Sequence, residues 1–209
     1  MTLAVGEAAA AAGARHLIYT SVHLADAATG VPHFDIKHVL EAQLAELAPR
    51  VTVLRPTTFA DSLTSPWLRS GIDKDGALVS PIGCDTPVSY VSTEDLAGIA
   101  VAALQEPDLQ GPPVVVAGRE PRTYTDLLPL ISELAGREVT YQQVPPDVVR
   151  NSFGPDVASM IEFFNRHGFA TEPSPVLYRL GLVPTPVEAY LRRAWPARTA
   201  PASMSPVER

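Results

Sequence analysis

The chain has 209 residues, 46% of them hydrophobic and 19% charged, with a formal net charge of −7. That length suits one domain with a small appended lobe, large enough to fold without disulfide staples or a structural metal. A single cysteine, Cys84, excludes a disulfide framework, five scattered histidines lack metal-ligand spacing, and the acidic balance argues against a nucleic-acid partner. The expected setting is the reducing cytoplasm. No membrane segment or secretory signal is expected, since the longest apolar stretch, around Ala8–Ala12, is short and the first fourteen residues carry no Lys or Arg. The 21 prolines, most of them after residue 106, predict a second half broken into short elements.

Gly6–Ala12 reads as a helix that Gly13 can close in a left-handed cap. His16–Thr20 is a short β-prone run, best placed as a buried strand, followed by a polar loop from Ser21 to Pro32. From His33 the period becomes helical. Ile36, Val39, Leu40, Gln43, Leu44 and Leu47 fall on one face, and His33, Lys37 and Glu41 on another. Pro32 suits the first helical position. Val51–Leu54 returns to strand composition, so strand, helix and strand make a βαβ unit with parallel strands.

A long connection holding Phe59, Trp67 and Leu68 leads to an expected strand at Val88–Val91. Ser92–Asp95 then opens a helix with a capping signal, and Val114–Val116 is a strand ending near Gly118. A helix is expected over Thr125–Gly136, with Pro129 in its first turn. Glu138–Val144 reads as a strand, and Pro155–His167 as an amphipathic helix ended by Gly168. Thr185–Glu188 reads as a capping box, and residues 196–209 as a disordered tail.

A serine just beyond a parallel strand, Ser21, lies where open α/β sheets bind ligands. His33 and Lys37 share a helix face one turn apart, so a lysine that donates to a sugar hydroxyl and a histidine that moves a proton are one reading. A solvated lysine and a first-turn polar histidine are the other. Phe59 and Trp67 suit either an apolar pocket or a core, while Met160, Phe163 and Phe164 suit packing. Tyr90 reads as a strand residue and Asp95 as a helix cap. Cys84 has no evident base partner and is not expected to be a nucleophile.

Five segments, Ala9–Ser21 (AAAAGARHLIYTS), Gly30–Lys37 (GVPHFDIK), Leu54–Phe59 (LRPTTF), Pro87–Ala97 (PVSYVSTEDLA) and Arg122–Gly136, together resemble the NmrA-like family. These are atypical short-chain dehydrogenase/reductases, and the similarity runs over roughly residues 6–193. The resemblance implies an α/β fold, a partial, N-terminally truncated Rossmann-like parallel sheet with helices on its faces and a small C-terminal α/β lobe. Residues 1–120 would be the Rossmann-like half and 121–195 the substrate lobe. It also implies NADP or NAD as cofactor. Thr20, Ser21 and Val22 match the strand end beside the nicotinamide, Lys37 the lysine on its ribose, and Pro56, Thr57, Thr58 and Phe59 the pocket lining. His33 stands where the superfamily's usual tyrosine would be.

The resemblance also implies a nominal oxidoreductase acting on a small apolar or quinone-like molecule, with His33 and Lys37 as the catalytic candidates. The sequence contains no G-x-x-G-x-x-G turn to meet a pyrophosphate, and it starts where a family member would have completed about four strands. A fragment of a longer protein, a natural truncation and an inactive remnant are therefore all expected readings. The alternative functions are a cofactor-free regulatory or binding protein, and a redox-neutral isomerase or cyclase with His33 as acid or base. An open edge on the first strand predicts a homodimer.

Overall fold

The computed structural model describes residues 1–195; the tail expected over 196–209 lies outside the described residues. A three-stranded parallel sheet is the frame. β1 (Leu17–Thr20) pairs with β2 (Val51–Pro56), Leu17 opposite Val51, and β2 pairs with β6 (Val114–Val116), Leu54 opposite Val114. The expected βαβ unit is present, with α2 (Pro32–Ala45) as its crossover and Pro32 in its first turn. α1 (Thr2–Ala11) leans on α2 where Gly6 meets Leu44 and Leu47, and it ends at Gly13, whose φ of 82° is left-handed. On its other side β1 has no strand partner among the described residues.

One expectation about α2 is overturned. Ile36 and Val39 are 52% and 48% exposed, whereas Phe34, Glu41 and Leu44 are buried. The rotation has an electrostatic cause. β2 delivers Arg55 to the interior, and the helix turns Glu41 inward to meet it. An unpaired buried guanidinium is costlier than two solvated aliphatic side chains.

The long connection holding Phe59, Trp67 and Leu68 contains elements of its own. β3 (Thr58–Phe59) pairs with β5 (Tyr90–Val91), a shorter strand than the Val88–Val91 expected, because Val88 forms only isolated bridges to Arg122 and Phe169. α3 (Pro66–Asp75) starts where Ser65 Oγ accepts the Leu68 N–H at 3.4 Å and stops at Gly76, φ 66°. β4 (Ala77–Ser80) then pairs with β7 (Thr140–Gln143). α4 (Thr93–Ala102) follows its expected Ser92–Asp95 cap.

α5 (Tyr124–Ala135) begins one residue earlier than expected, because Thr123 and Asp126 form a reciprocal capping box. Pro129 therefore lies beyond the first turn. α6 (Pro146–His167) contains the expected Pro155–His167 helix and a preceding segment, separated at Gly154, whose φ of 84° is not helical. α7 (Pro175–Arg179) is a short addition. Before α8 (Val187–Ala194) the expected capping box is absent. Thr185 donates its N–H and hydroxyl to Asp95, each at 3.0 Å, and Glu188 turns to Arg122.

Apolar burial is shared between two main cores. One packs Leu54, Val91, Leu96, Ile99, Val114 and Leu177 around the sheet. The other joins Leu63, Leu68, Ile72 and Leu78 to Tyr124, Ile131 and Leu191, drawing on both sides of residue 120. The chain passes between them at Gly118, where a Cβ would stand well inside 3.0 Å of the Tyr90 carbonyl oxygen. Backbone cannot yield there as a side chain can. Gly118→Ala is expected to cost about 2 kcal/mol in urea unfolding, the scale of an overpacked core site.

Candidate functional site

The three strands of the frame run parallel, so their carboxyl ends lie on one side of the sheet. Backbone hydrogen bonds carry the pairing past the strands: Ser21 N–H to the Leu54 carbonyl at 2.8 Å, His23 N–H to Pro56 at 2.9 Å, and Thr57 N–H to Val116 at 3.1 Å. Residues 20–23 and 56–57 are therefore fixed at the rim where such sheets hold ligands.

Lys37 comes to this rim from α2. Its Nζ donates to the Thr20 carbonyl at 3.2 Å and lies 5.5 Å over the Tyr19 ring. The ammonium is half-buried and makes no salt bridge among the described residues. Burial lowers its pKa, and the Glu41 carboxylate acts against that shift.

Beneath the lysine is a cluster that the sequence reading passed over. Glu41, 7% exposed, accepts the Ser21 hydroxyl and two bonds from Arg55, Nε at 3.0 Å and Nη2 at 2.6 Å. Arg55 Nη1 reaches Asp26 in the loop after β1 at 2.7 Å. Burial alone would raise the Glu41 carboxyl, but the Arg55 and Ser21 bonds outweigh it and hold the group below its ordinary value. The Arg55 bond does the same for Asp26. Two signals were available: Glu41 stands four residues after Lys37, and Arg55 is a charge inside an apolar strand.

The expected residues separate into groups. Lys37, Thr20 and Ser21 meet at the rim. Thr57 is 4% exposed, and its Oγ1 has no hydrogen-bond partner among the described residues. Pro56 is buried beside it, while Thr58 and Phe59 pair with β5, and Phe59 packs against the sheet core. Val22 leans on an aromatic cluster of Phe34, Phe164 and Phe169. His33 bonds neither Lys37 nor Ser21. Its Nδ1 lies 2.8 Å from Asp156 Oδ1 on α6, and the same oxygen accepts its backbone N–H at 3.3 Å. Asp156 was not foreseen, because 123 residues separate the pair.

Trp67 is exposed and lines an apolar cavity of about 420 Å³ with Pro81, Val144, Val148, Phe153 and Val157. Phe164 stacks on Phe169 at 4.4 Å, a packing role as expected. Among the described residues, Cys84 Sγ has only Asp85 as a side-chain neighbour within hydrogen-bond reach. No cluster of metal-ligating side chains occurs among the described residues, nor any helix long and apolar enough to cross a membrane. A half-buried ammonium and an unpartnered hydroxyl at adjoining strand ends fit the ribose and carboxamide of a nicotinamide nucleotide. Glycine-rich donors for its pyrophosphate are not among the residues of this sequence.

The family model described as the NmrA-like family matches residues 2–191. The (4-alkanoyl-5-oxo-2,5-dihydrofuran-3-yl)methyl phosphate reductase of Streptomyces griseus is 32% identical over 150 residues, 71% of this chain and 52% of that protein. Among solved structures, the Citrobacter sp. triphenylmethane reductase complexed with NADP(H) is 24% identical, covering 92% of this chain and 70% of its own, with TM-score 0.76. An NADPH-dependent quinone oxidoreductase from Escherichia coli is 22% identical, covering 93% of this chain and 73% of its own, with TM-score 0.76. The chain spans about half the length of the curated relatives it matches.

Replacing Glu41 by Gln leaves Arg55 buried against a neutral amide, with an expected loss of about 3 kcal/mol at neutral pH in urea unfolding. Glu41 and Asp26 release their protons more readily folded than unfolded. Their contribution is therefore complete above the ordinary carboxylate pKa of about 4 and drains away as the pH falls below it. The Glu41→Gln stability curve is expected to be flatter across that acid range.

Proposed function

The chain belongs to the NmrA-like family, and we propose that it works as an NAD(P)-dependent reductase on a small, uncharged, quinone-like molecule. The observation that carries this reading is Lys37: a half-buried ammonium, with no carboxylate in salt-bridge range among the described residues, held over the carboxyl end of a parallel sheet. A group in that position suits the hydroxyls of a nicotinamide ribose. Thr20–Val22 and Pro56–Phe59 would line the nicotinamide, with the Thr57 hydroxyl as partner for its carboxamide. When bound, the nicotinamide supplies a hydride.

The substrate half of the reading rests on the cavity beside α6. Its volume lies within the usual range for small-ligand sites, and no ionisable side chain lines it. Trp67 and Phe153 offer aromatic faces to a planar ligand. Val157, which lines the cavity, follows Asp156, the partner of His33, on α6. In this reading His33 passes a proton to the substrate oxygen as the hydride reaches its carbon. The names of the Streptomyces griseus reductase and the Escherichia coli quinone oxidoreductase support the same reaction class.

Titration with NADPH, followed by its fluorescence, tests the cofactor directly. A dissociation constant in the low-micromolar range is expected. Lys37→Met is expected to weaken it about tenfold, or ~1.4 kcal/mol. No fluorescence change at millimolar NADPH would end the reading and leave the cofactor-free binding protein in its place.

A further inference from the structure

We propose that Asp156 is a positioning residue that fixes the tautomer of His33, putting the proton on Nδ1 and leaving Nε2 to serve the substrate. This rests on the reductase reading only for the use made of Nε2. The placement itself comes from geometry. One carboxylate oxygen, Asp156 Oδ1, takes the His33 ring Nδ1 at 2.8 Å and the His33 backbone N–H at 3.3 Å. Two donors of one residue converging on one oxygen set both the position of the ring and its rotation. Nε2 makes no hydrogen bond among the described residues, and the side chain is 37% exposed, so solvent can exchange its proton.

A second reason for the contact is structural, and it explains why the carboxylate is there. Val31 gives α2 no side-chain cap; Pro32 has no N–H, and Phe34 and Asp35 both donate to the Val31 carbonyl, which leaves the His33 N–H as the one without a local acceptor among the described residues. Asp156 supplies one from the opposite element and adds a negative charge near the positive helix end. It can do so because α6 breaks at Gly154 and restarts at Pro155, which places Asp156 at a helix start rather than mid-helix. Arg150 and Glu162, 2.6 Å apart, tie the two parts of α6 together across the break.

The chemistry follows from where the protons sit. With Nδ1–H committed to Asp156, the protonated ring can give up only the proton on Nε2. That proton would go to the substrate oxygen, balancing the hydride that a bound nicotinamide would supply to the substrate carbon. The ring remains neutral, still bonded to Asp156, and water restores the Nε2 proton. A free neutral imidazole prefers its proton on Nε2, which would present a donor where this step needs a lone pair for recharging. The same arrangement orients the histidine of other catalytic pairs.

Two-bond proton–nitrogen correlation spectra of the isotope-labelled full chain, taken well above the ordinary imidazole pKa of about 6.5, read the tautomer directly. The wild-type chain is expected to show His33 protonated at Nδ1. Asp156→Asn, which keeps an acceptor oxygen, is expected to retain that tautomer, and Asp156→Ala to revert to Nε2–H. Wild-type His33 protonated at Nε2, or an unchanged tautomer in a folded Asp156→Ala chain, overturns the proposal. Turnover is read separately, with NADPH and menadione as probes. Asp156→Ala is expected to lower kcat about tenfold or more with the KM for NADPH unchanged, and Asp156→Asn to recover part of it. A merely structural cap would leave the tautomer where it was. The expected spectra with no NADPH oxidised would remove the reductase reading and leave the positioning role standing.

Discussion

A guanidinium buried at the carboxyl end of a parallel strand has to be paired, and much of the candidate site follows from how Arg55 meets that demand. Its three nitrogens are divided between Glu41 on α2 and Asp26 in the loop after β1. One side chain therefore fixes the rotation of a helix and the path of a loop. Because α2 is turned to bring Glu41 inward, Lys37, one turn earlier, reaches the strand end, and Ile36 and Val39 are left in solvent. Because the loop is held at Asp26, Ser21 stays beside Glu41. A lysine at the rim and a buried carboxylate below it are two consequences of a single charge.

The rest of the molecule holds this rim against the second core. Asp95 caps its own helix through Ser92 and also takes two bonds from Thr185, fixing the entry to α8. Asp61 does the same on the other side, accepting the N–H and hydroxyl of Thr93 at 2.9 and 2.6 Å. In each case a carboxylate that satisfies a helix end also joins segments far apart in the chain. Asp156 belongs to the same pattern, with the difference that one of its two donors is an imidazole ring.

Local features of the sequence were legible where the cause was local. The βαβ unit follows from the change of period at His33, and the Ser92 cap from a motif four residues long. The start of α3 had the same kind of signal, a serine before a proline, hidden inside a connection that lacked a strong apolar period. What stayed hidden was set by distant partners. Helical periodicity assigned Ile36 and Val39 to the core because it ranks faces by hydropathy and gives no weight to a charge arriving from β2. Thr185 and Glu188 make a plausible capping pair in sequence, yet Asp95 and Arg122 compete for them in space. The resemblance pointed to Lys37 and to the strand ends, which meet at the rim. It gave no role to Glu41, Arg55 or Asp156, although Arg55 stands inside its Leu54–Phe59 segment.

The charge count of the rim explains what opposes burial at its lysine. Asp26 and Glu41 bring two negative charges, Arg55 and Lys37 two positive ones, so the cluster as a whole is neutral. Arg55 alone cannot balance two carboxylates, and the excess acts on Lys37 through Glu41, opposing the effect of burial. Without that excess, desolvation would act on the ammonium unopposed and favour the neutral amine, a weaker donor to any hydroxyl or anionic ligand. With it, the charge persists at a place where water is partly excluded and each hydrogen bond is worth more. The ion pair that serves the fold thus also opposes the effect of burial on the cation at the rim.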